Sequence, residues 1–469
     1  MTELVWGVVF FFNGLVVLYF LILNGFYLCT SFLAYGALRR YSLRLKTMDL
    51  ERFLRTGGAP PITLISPAYN EEATLEEAVR SLLSLNYPDF EVLVCNDGST
   101  DGTLEFLTQR FNLEPVDRVP MGEIPTAPVR GTYRSRRYKN LWVLDKENGG
   151  KADALNAGIN YCRSALFCAM DADTLLERDS LLRVVRPFLE DSSTVAAGGI
   201  IRIANGCTIK QGQVEKVGLP QNLLARFQVL EYLRAFLSGR MGWDALDSTL
   251  IVSGAFGIFD RSLVVATGGY STDTVGEDME LVVRLHRHCR ENKVPYKIGF
   301  VPDPVAWTEC PETLAGLGRQ RDRWQRGLLE SLLRHRVMLL NPRYGRLGVL
   351  AYPYFFFLEM LGPLVEGLGY VSFLVTLLAG RASTLYVIGF LGVAIVLGIV
   401  LSISAVCLEE VTFRRYPRKS DLVLLFIIGV LENFGYRQLN TLWRVRGTLS
   451  GILGKRGWGV MTRKGFGAA

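Results

Sequence analysis

The sequence predicts an α/β domain carried between membrane-spanning helices, and three observations support that expectation. The stretch from Leu4 to Ala37 is almost wholly apolar, interrupted by the uncharged Asn13 and Asn24, and it exceeds the roughly 20 residues that a spanning helix needs. Two further apolar blocks come late in the chain, from about Leu347 to Ala379 and from about Leu385 to Leu408. Between the early and late blocks, short β-rich runs alternate with helical periodicity, the order that gives a parallel sheet covered by helices. Composition agrees: of 469 residues, 49% are hydrophobic and 21% charged, which excludes a disordered chain and argues against a purely soluble one.

Each element follows from its local pattern. The first apolar block has no basic residue before it and is followed by Arg39, Arg40, Arg44 and Lys46, so the positive-inside rule puts the N-terminus outside and the next segment in the cytosol. The same asymmetry argues against a cleaved signal peptide. Buried strands are expected from Ile62 to Pro67, Phe90 to Asn96, Leu141 to Leu144 and Leu166 to Met170, and helices from Leu75 to Leu85, Leu104 to Phe111 and Leu181 to Leu189. The run Pro128 to Lys139, with Arg130, Arg134, Arg136, Arg137 and Lys139, reads as an exposed basic loop. From Thr313 to His335, Leu314, Leu317, Trp324, Leu328 and Leu332 recur at helical spacing among arginines, the pattern of an amphipathic helix at a membrane interface.

The two late apolar blocks form a membrane hairpin. Glu359 and Glu366 in the first of them either line a polar path or lie solvated near an interface turn. A fourth stretch, Leu422 to Leu431, runs on through Glu432, Asn433 and Arg437; it is short and polar for a span and reads as re-entrant or tilted. Basic residues flank it on both sides, Arg414, Arg415, Arg418 and Lys419 before it and Lys455, Arg456, Arg463 and Lys464 after it, which leaves the side of the C-terminus open. The resulting layout is a membrane helix over 1–38, an α/β domain over 39–312, an interface helix region over 313–346, a membrane region over 347–454 and a basic tail over 455–469.

The formal charge of +7, from 52 Lys+Arg against 45 Asp+Glu, suits a protein resting on anionic lipid and does not argue for nucleic acid. Eight cysteines without CxxC pairs indicate neither a disulfide framework nor a zinc site and fit a reducing cytosolic face. Only His286, His288 and His335 occur, which counts against histidine catalysis; His286 and His288 read as structural.

Polar motifs stand where the strands end, the place where open α/β sheets bind ligands. Asp171 and Asp173 flank Ala172 after a strand; a turn there can aim both carboxylates at Mg²⁺ or Mn²⁺ bound to a nucleotide diphosphate, although an isolated Asp-x-Asp is more often a turn or a cap. Asp97 could accept a hydrogen bond from a base or ribose, or close an Asx turn with Gly98. Asn148-Gly149-Gly150-Lys151 opens a helix whose N-terminus and lysine could meet phosphate, or could be a cap with a surface lysine; the spacing is not that of a P-loop. Glu277 and Asp278 begin another helix, with Asp278 either a dipole-favoured terminal charge or a general base.

Taken in order, Tyr69-Asn70-Glu71, Asp97-Gly98-Ser99, Asp171-Ala172-Asp173, Glu277-Asp278 and Gln320-x-x-Arg323-Trp324 resemble the signature of the processive family 2 glycosyltransferases, which include cellulose, chitin, hyaluronan and poly-N-acetylglucosamine synthases. The resemblance runs from Tyr69 to Trp324, and Gln-x-x-Arg-Trp is its most specific element. It implies a GT-A (Rossmann-like) fold, a nucleotide-sugar donor of the UDP type, Mg²⁺ or Mn²⁺, and an inverting reaction that leaves a β-linkage. It also implies roles. Tyr69, Asn70, Glu71, Asp97, Lys151 and Asp171 would bind the donor nucleotide, with Asp171 and Asp173 on the diphosphate and its metal. Glu277 and Asp278 would be the catalytic pair, Asp278 taking the acceptor proton. Gln320, Arg323 and Trp324 would border the acceptor, with Arg323 near the departing diphosphate.

The chain departs from the cellulose synthases in having one N-terminal apolar block and a shorter late membrane region, a layout closer to the poly-N-acetylglucosamine and hyaluronan synthases. The implied function is polymerisation of a nucleotide-activated hexose or N-acetylhexosamine into an exported polysaccharide at the bacterial inner (plasma) membrane. Its partners are the donor, the growing glycan and the bilayer, with room for accessory membrane or periplasmic subunits and no nucleic acid. Two alternatives stand beside it: transfer of a single sugar to a membrane lipid or lipid phosphate, for which Gln-x-x-Arg-Trp has no use, and a non-enzymatic scaffold or transporter, which has no reason to keep Asp171, Asp173 and Asp278 together.

The topology is testable. Cysteines introduced at residues 2 and 130 of the intact chain should be labelled by an impermeant reagent from outside and from inside the cell, respectively; labelling with the opposite sidedness overturns the orientation.

Overall fold

The computed structural model describes residues 2–45, 58–72, 74–122 and 124–455. Lys46 and the tail residues Arg456, Arg463 and Lys464 lie outside them. The chain divides into two compact units, an α/β unit of Tyr41–Pro220 and Asp247–Cys310, and a helical unit that takes the chain up to Arg40, Gln221–Leu246 and the residues from Pro311 onward. The expected single domain over 39–312 is therefore interrupted: Gln221–Leu246 folds with the helical unit. This segment is largely apolar, and Leu230, Phe236, Leu237 and Trp243 are buried there.

The α/β unit contains β1 (Ile62–Ala68), β2 (Phe90–Asp97), β3 (Leu113–Pro115), β4 (Val129–Ser135), β5 (Leu141–Lys146), β6 (Leu166–Met170), β7 (Thr174–Leu176), β8 (Thr194–Ile203), β9 (Thr208–Lys210), β10 (Gln213–Lys216), β11 (Phe256–Asp260) and β12 (Lys297–Thr308). β9 and β10 form a separate hairpin, and the other ten make one sheet in the order β3-β4-β5-β2-β1-β6-β11-β8-β12-β7. Its centre is parallel, as expected: β5, β2, β1 and β6 lie side by side. These strands are buried on both faces, which is why they read in sequence as continuous apolar runs rather than alternating ones. The sheet as a whole is mixed, because β11 enters antiparallel between β6 and β8. With β1, β2, β5 and β6 pointing the same way, their carboxyl ends place Tyr69, Asp97, Lys146 and Asp171 along one edge of the sheet.

Two local expectations are corrected. The basic run 128–139 is not a solvated loop, since Val129–Ser135 is strand β4, paired with β5 and β3. Val129, Thr132 and Tyr133 favour strand, and Arg134 is accommodated over the Trp142 ring, 5.1 Å from its centroid. The helix expected from Leu181 to Leu189 breaks at Val185 into Ser180–Val184 and Arg186–Glu190, because Pro187 has no N–H to donate and its ring crowds the preceding turn.

His286 is structural, as expected. It is buried on the helix Glu277–Glu291, with Nε2 2.8 Å from the Thr249 carbonyl and Nδ1 2.9 Å from the Tyr296 hydroxyl. Nε2 therefore carries the proton, and Nδ1 accepts from Tyr296.

In the helical unit, Thr2–Leu45 is one helix. Glu3–Arg44 and Thr384–Thr412 are each long and apolar enough to cross a membrane. The block Leu347 to Ala379 is bent rather than straight: Leu347–Met360 and Gly362–Leu378 meet at 41°, where Pro363 starts the second piece, the geometry of either a broken span or a re-entrant loop. The stretch expected to be re-entrant or tilted belongs to a second bent pair, Lys419–Leu431 and Tyr436–Ile452, at 59°. The helical unit thus has two candidate spans, or up to four if each bent pair is one span.

Glu359, Glu366 and Glu432 each have protein partners. Glu359 accepts hydrogen bonds from Tyr27 (2.7 Å) and Tyr354 (2.9 Å) and pairs with Arg444 (3.1 Å), while Glu366 accepts from Thr441 at 2.9 Å. The alternative of solvated carboxylates at an interface turn is thereby corrected. Glu432, at the bend of the second pair, is held by Arg234, by Ser402 and by Arg437 at 3.0 Å.

The helix Leu314–Arg334 is amphipathic, but it packs against Tyr436–Ile452 so closely that a Cβ at Gly318 would lie 2.8 Å from the Trp443 indole nitrogen. Gln325, buried in that contact, donates to the Met360 carbonyl at 2.9 Å and accepts from Arg444 at 2.9 Å. A helix lying free on a bilayer surface is therefore too simple a description of it.

Burial depresses the His286 pKa to about 4, assisted by Arg290 and opposed by the Thr249 carbonyl. The unfolded chain takes up this proton near pH 6.5 and the folded one only near 4, so stability is full above 6.5 and falls as pH drops through that window, by up to about 3 kcal/mol. Thermal unfolding measured from pH 7 to 4 should show this slope, and H286Q should lose it; equal slopes in both proteins would reject a buried neutral imidazole.

Candidate active site

Two lysines on either side of one glycine turn organise the strand ends. Lys146, the last residue of β5, is fully buried, and its ammonium lies 2.6 Å from Asp97 at the end of β2 and 2.6 Å from Asp153 in the helix Lys151–Tyr161. Burial alone would lower its pKa, but these two carboxylates reverse that and raise it. Asp97 also accepts from the backbone amides of Gly149 (3.0 Å) and Gly150 (2.8 Å). The turn needs its glycines: Gly150 has φ 88°, and Gly98, at φ 65°, passes so near that a Cβ there would lie 2.6 Å from the Asn148 nitrogen. Asp97 is thus spent on building the loop, and a base or ribose reaches it only by displacing one of these donors.

Tyr69, Asn70 and Glu71 follow β1. Tyr69 is exposed. Asn70 sits at φ 55° and braces the neighbouring loop, its side-chain oxygen accepting from the Thr100 amide at 2.8 Å and its own amide donating to Ser99 at 3.1 Å. The Glu71 carboxylate accepts from Thr74 at 2.6 Å.

The second lysine, Lys151, gathers the remaining acids. Its ammonium lies 2.6 Å from Asp171 after β6 and 2.9 Å from Glu277 at the start of the helix Glu277–Glu291. Burial would lower its pKa, but Asp171, Glu277 and Asp278 hold it well above the usual lysine value. Burial raises the pKa of Glu277, with Asp278 adding to that effect and Lys151 opposing it. One cation therefore faces three carboxylates. Asp278 accepts from the amides of Gly254 (2.9 Å) and Met279 (2.8 Å). Asp173, two residues past Asp171, is buried. Asn156 ties the lysine's helix to the loop before Glu277 by bonding both backbone groups of Tyr270, at 2.7 and 2.9 Å.

Of the residues singled out in the sequence, the α/β unit brings Lys151, Asp171, Glu277 and Asp278 into one cluster. It places Asp173 beside them in sequence, and Asn70 and Asp97 in the loops at the neighbouring strand ends. Gln320, Arg323 and Trp324 belong to the helical unit. There Gln320 is buried and Arg323 half-buried, while Trp324 is 43% exposed. The Arg321 guanidinium lies over the Trp324 indole, 4.3 Å from its centroid, and is anchored by Glu231 at 2.8 Å; Tyr232 stands 6.5 Å away, centroid to centroid.

Two contributors escaped the sequence reading. Lys146 was hidden at the end of an apolar strand. Gly254 sits in the turn Ser253-Gly254-Ala255 before β11, where a Cβ would lie 2.9 Å from the Lys151 ammonium and 3.2 Å from an Asp278 oxygen; a Ser-Gly pair ahead of an apolar run was the available signal.

Acidic side chains at the carboxyl ends of a mixed α/β sheet, joined to the first turn of a further helix, define a GT-A-like glycosyltransferase. Residues 166–401 match the family model described as glycosyl transferase family group 2, and residues 63–120 match glycosyl transferase family 2. The chain belongs to glycosyl transferase family group 2.

Among curated relatives it is 29% identical over 274 residues to the poly-beta-1,6-N-acetyl-D-glucosamine synthase of Staphylococcus aureus strain COL, covering 58% of this chain and 56% of the relative. The Staphylococcus epidermidis synthase is 28% identical over the same coverage. The match thus spans just over half the length of these relatives. A mannosyltransferase from Pyrobaculum calidifontis, solved with GDP-Man and Mn²⁺, superposes with a TM-score of 0.53 at 18% identity, covering 92% of this chain and all of that one; this likeness is one of fold.

G254A should leave the fold intact, because the atoms it meets are the ends of flexible side chains. It should nevertheless displace Lys151 and Asp278, lowering kcat by about 10²-fold. Turnover at the normal rate in a folded G254A protein would remove Gly254 from the site.

Proposed function

We propose that the protein is a membrane-embedded inverting hexosyltransferase that polymerises a UDP-activated sugar into a β-linked polysaccharide and exports it, with its α/β unit in the cytosol of a bacterial cell. The observation that carries this reading is the Lys151 bridge, which joins the Asp171 end of the sheet to the Glu277-Asp278 helix start, so that a diphosphate-binding edge and a candidate base share one pocket. Poly-beta-1,6-N-acetyl-D-glucosamine is the product named for the staphylococcal relatives, which favours an N-acetylhexosamine donor here.

In an inverting transfer the acceptor hydroxyl attacks the anomeric carbon as the diphosphate leaves. Asp278 takes the hydroxyl proton, its carboxylate oriented by the Gly254 amide. Lys151 faces the charge that grows on the leaving diphosphate. Asp97 and Asn70 act at one remove, by fixing the loops around the nucleotide. Gln320, Arg323 and Trp324 serve the acceptor end, an assignment that rests on the motif; the exposed Trp324 indole offers a flat apolar face to a sugar ring.

The residues fit a divalent ion. Asp171 and Asp173 lie on one turn, and the Lys151 ammonium already stands where Asp171 meets a cation. Such an ion, when bound, would neutralise the leaving diphosphate. Among the described residues no group of three or more His, Cys, Asp or Glu side chains could hold a metal ion, so phosphate oxygens would complete its shell, the usual habit of Mg²⁺.

The test is incubation of the purified protein in sealed vesicles with UDP-N-acetylglucosamine, alongside UDP-glucose, UDP-glucuronate and GDP-mannose, with nucleotide release and product size both measured. A protected polymer is expected from one UDP-sugar; a single-sugar lipid conjugate alone would replace polymerisation with lipid transfer. D278N should bind donor nearly normally and lose about 10²- to 10⁴-fold in transfer. Normal transfer by D278N would make Asp278 a helix-terminal charge only.

A further inference from the structure

We infer that Lys151 is the resident cation of the donor site, holding Asp171 until a nucleoside diphosphate and its divalent ion arrive together. This rests on the reading of Asp171 and Asp173 as donors to that ion. Lys151 is mostly enclosed, and its ammonium touches Asp171 at 2.6 Å and Glu277 at 2.9 Å. Gly254 closes one side so tightly that a single added carbon would lie 2.9 Å from the ammonium. Asp171 is the more open of the two partners, with 30% of its side chain exposed against 4% for Glu277. The bridge therefore opens at Asp171 and stays closed at Glu277.

An ion arriving alone must take Asp171 from Lys151, which costs the mostly buried ammonium one of its two close carboxylates and sets a second cation beside it. It gains little in return, since among the described residues no three acidic, histidine or cysteine side chains could hold it. A diphosphate changes both sides of the exchange. Some of its oxygens complete the ion's shell, while another accepts from Lys151 as it leaves Asp171. Lys151 thus makes ion and nucleotide bind as one unit, and by linkage each must tighten the other by the same factor.

The experiment follows free Mn²⁺ by electron paramagnetic resonance with the full-length protein in nanodiscs, with and without UDP, for wild type, K151M and K151R. In the wild type, saturating UDP should tighten Mn²⁺ by at least about tenfold, within the usual range of such coupling, and Mn²⁺ should tighten UDP equally. K151M should bind Mn²⁺ alone at least about tenfold more tightly than wild type and lose that share of the coupling, keeping what the phosphate oxygens supply directly, whereas K151R should keep the weak Mn²⁺-alone binding. Equal Mn²⁺-alone affinity in wild type and K151M overturns the inference while leaving the donor site in place. Should K151M not fold, the wild type decides, because Mn²⁺ affinity unchanged by UDP overturns it too. Failure of Mn²⁺ to bind under any condition removes the metal-donor reading itself, and this inference with it.

Discussion

Buried charge has to be partnered, and in the α/β unit that constraint is met by two lysines five positions apart in sequence. Lys146 and Lys151 stand at either end of one turn, and between them they hold Asp97, Asp153, Asp171 and Glu277. These acids come from the ends of β2 and β6 and from the starts of two helices, so the turn fixes the relative positions of four elements. Leaving a buried one such as Lys146 or Glu277 without its partner would cost about 3–5 kcal/mol. Gly149 and Gly150 let the chain reverse between the lysines while donating their amides to Asp97. Electrostatics, more than apolar packing, sets the geometry at the carboxyl edge of the sheet.

The helical unit solves the same problem in an apolar setting. Arg437, Thr441 and Arg444 recur at helical spacing on Tyr436–Ile452 and reach Glu432, Glu366 and Glu359 in turn. An unpartnered charge among apolar helices is expensive, and this seam partners each of the three carboxylates. Gln325 and Arg444 extend the seam to the helix that bears Trp324.

Much of this was legible in the sequence wherever a pattern is local. The central strands were visible because strands buried on both faces are apolar throughout, and the acidic motifs because they interrupt such runs. Strand β4 was not, because Arg134, which stacks on Trp142, looks in sequence like a solvated arginine. Lys146 was missed for a related reason: a charge at a strand end reads as a boundary until its partners, 49 residues away at Asp97 and seven at Asp153, are known. The break at Val185 could have been read from Pro187. The membership of Gln221–Leu246 in the helical unit could not, since apolar helices look alike whichever core they enter.

The arrangement around Asp278 also bears on how it would act in the proposed transfer. A carboxylate is far weaker than the alkoxide it helps to form, so it cannot strip the acceptor hydroxyl before attack; the proton has to move as the new bond to the anomeric carbon develops. Catalysis of that kind depends on where the oxygen points. Asp278 is held accordingly: one oxygen accepts from Gly254 and the other from Met279. These contacts fix the orientation of the carboxylate, and where the proton moves as the bond forms, that orientation is what the site supplies. The same Gly254 limits the space around Lys151, so one residue without a side chain sets the positions of both the proposed base and the lysine beside it.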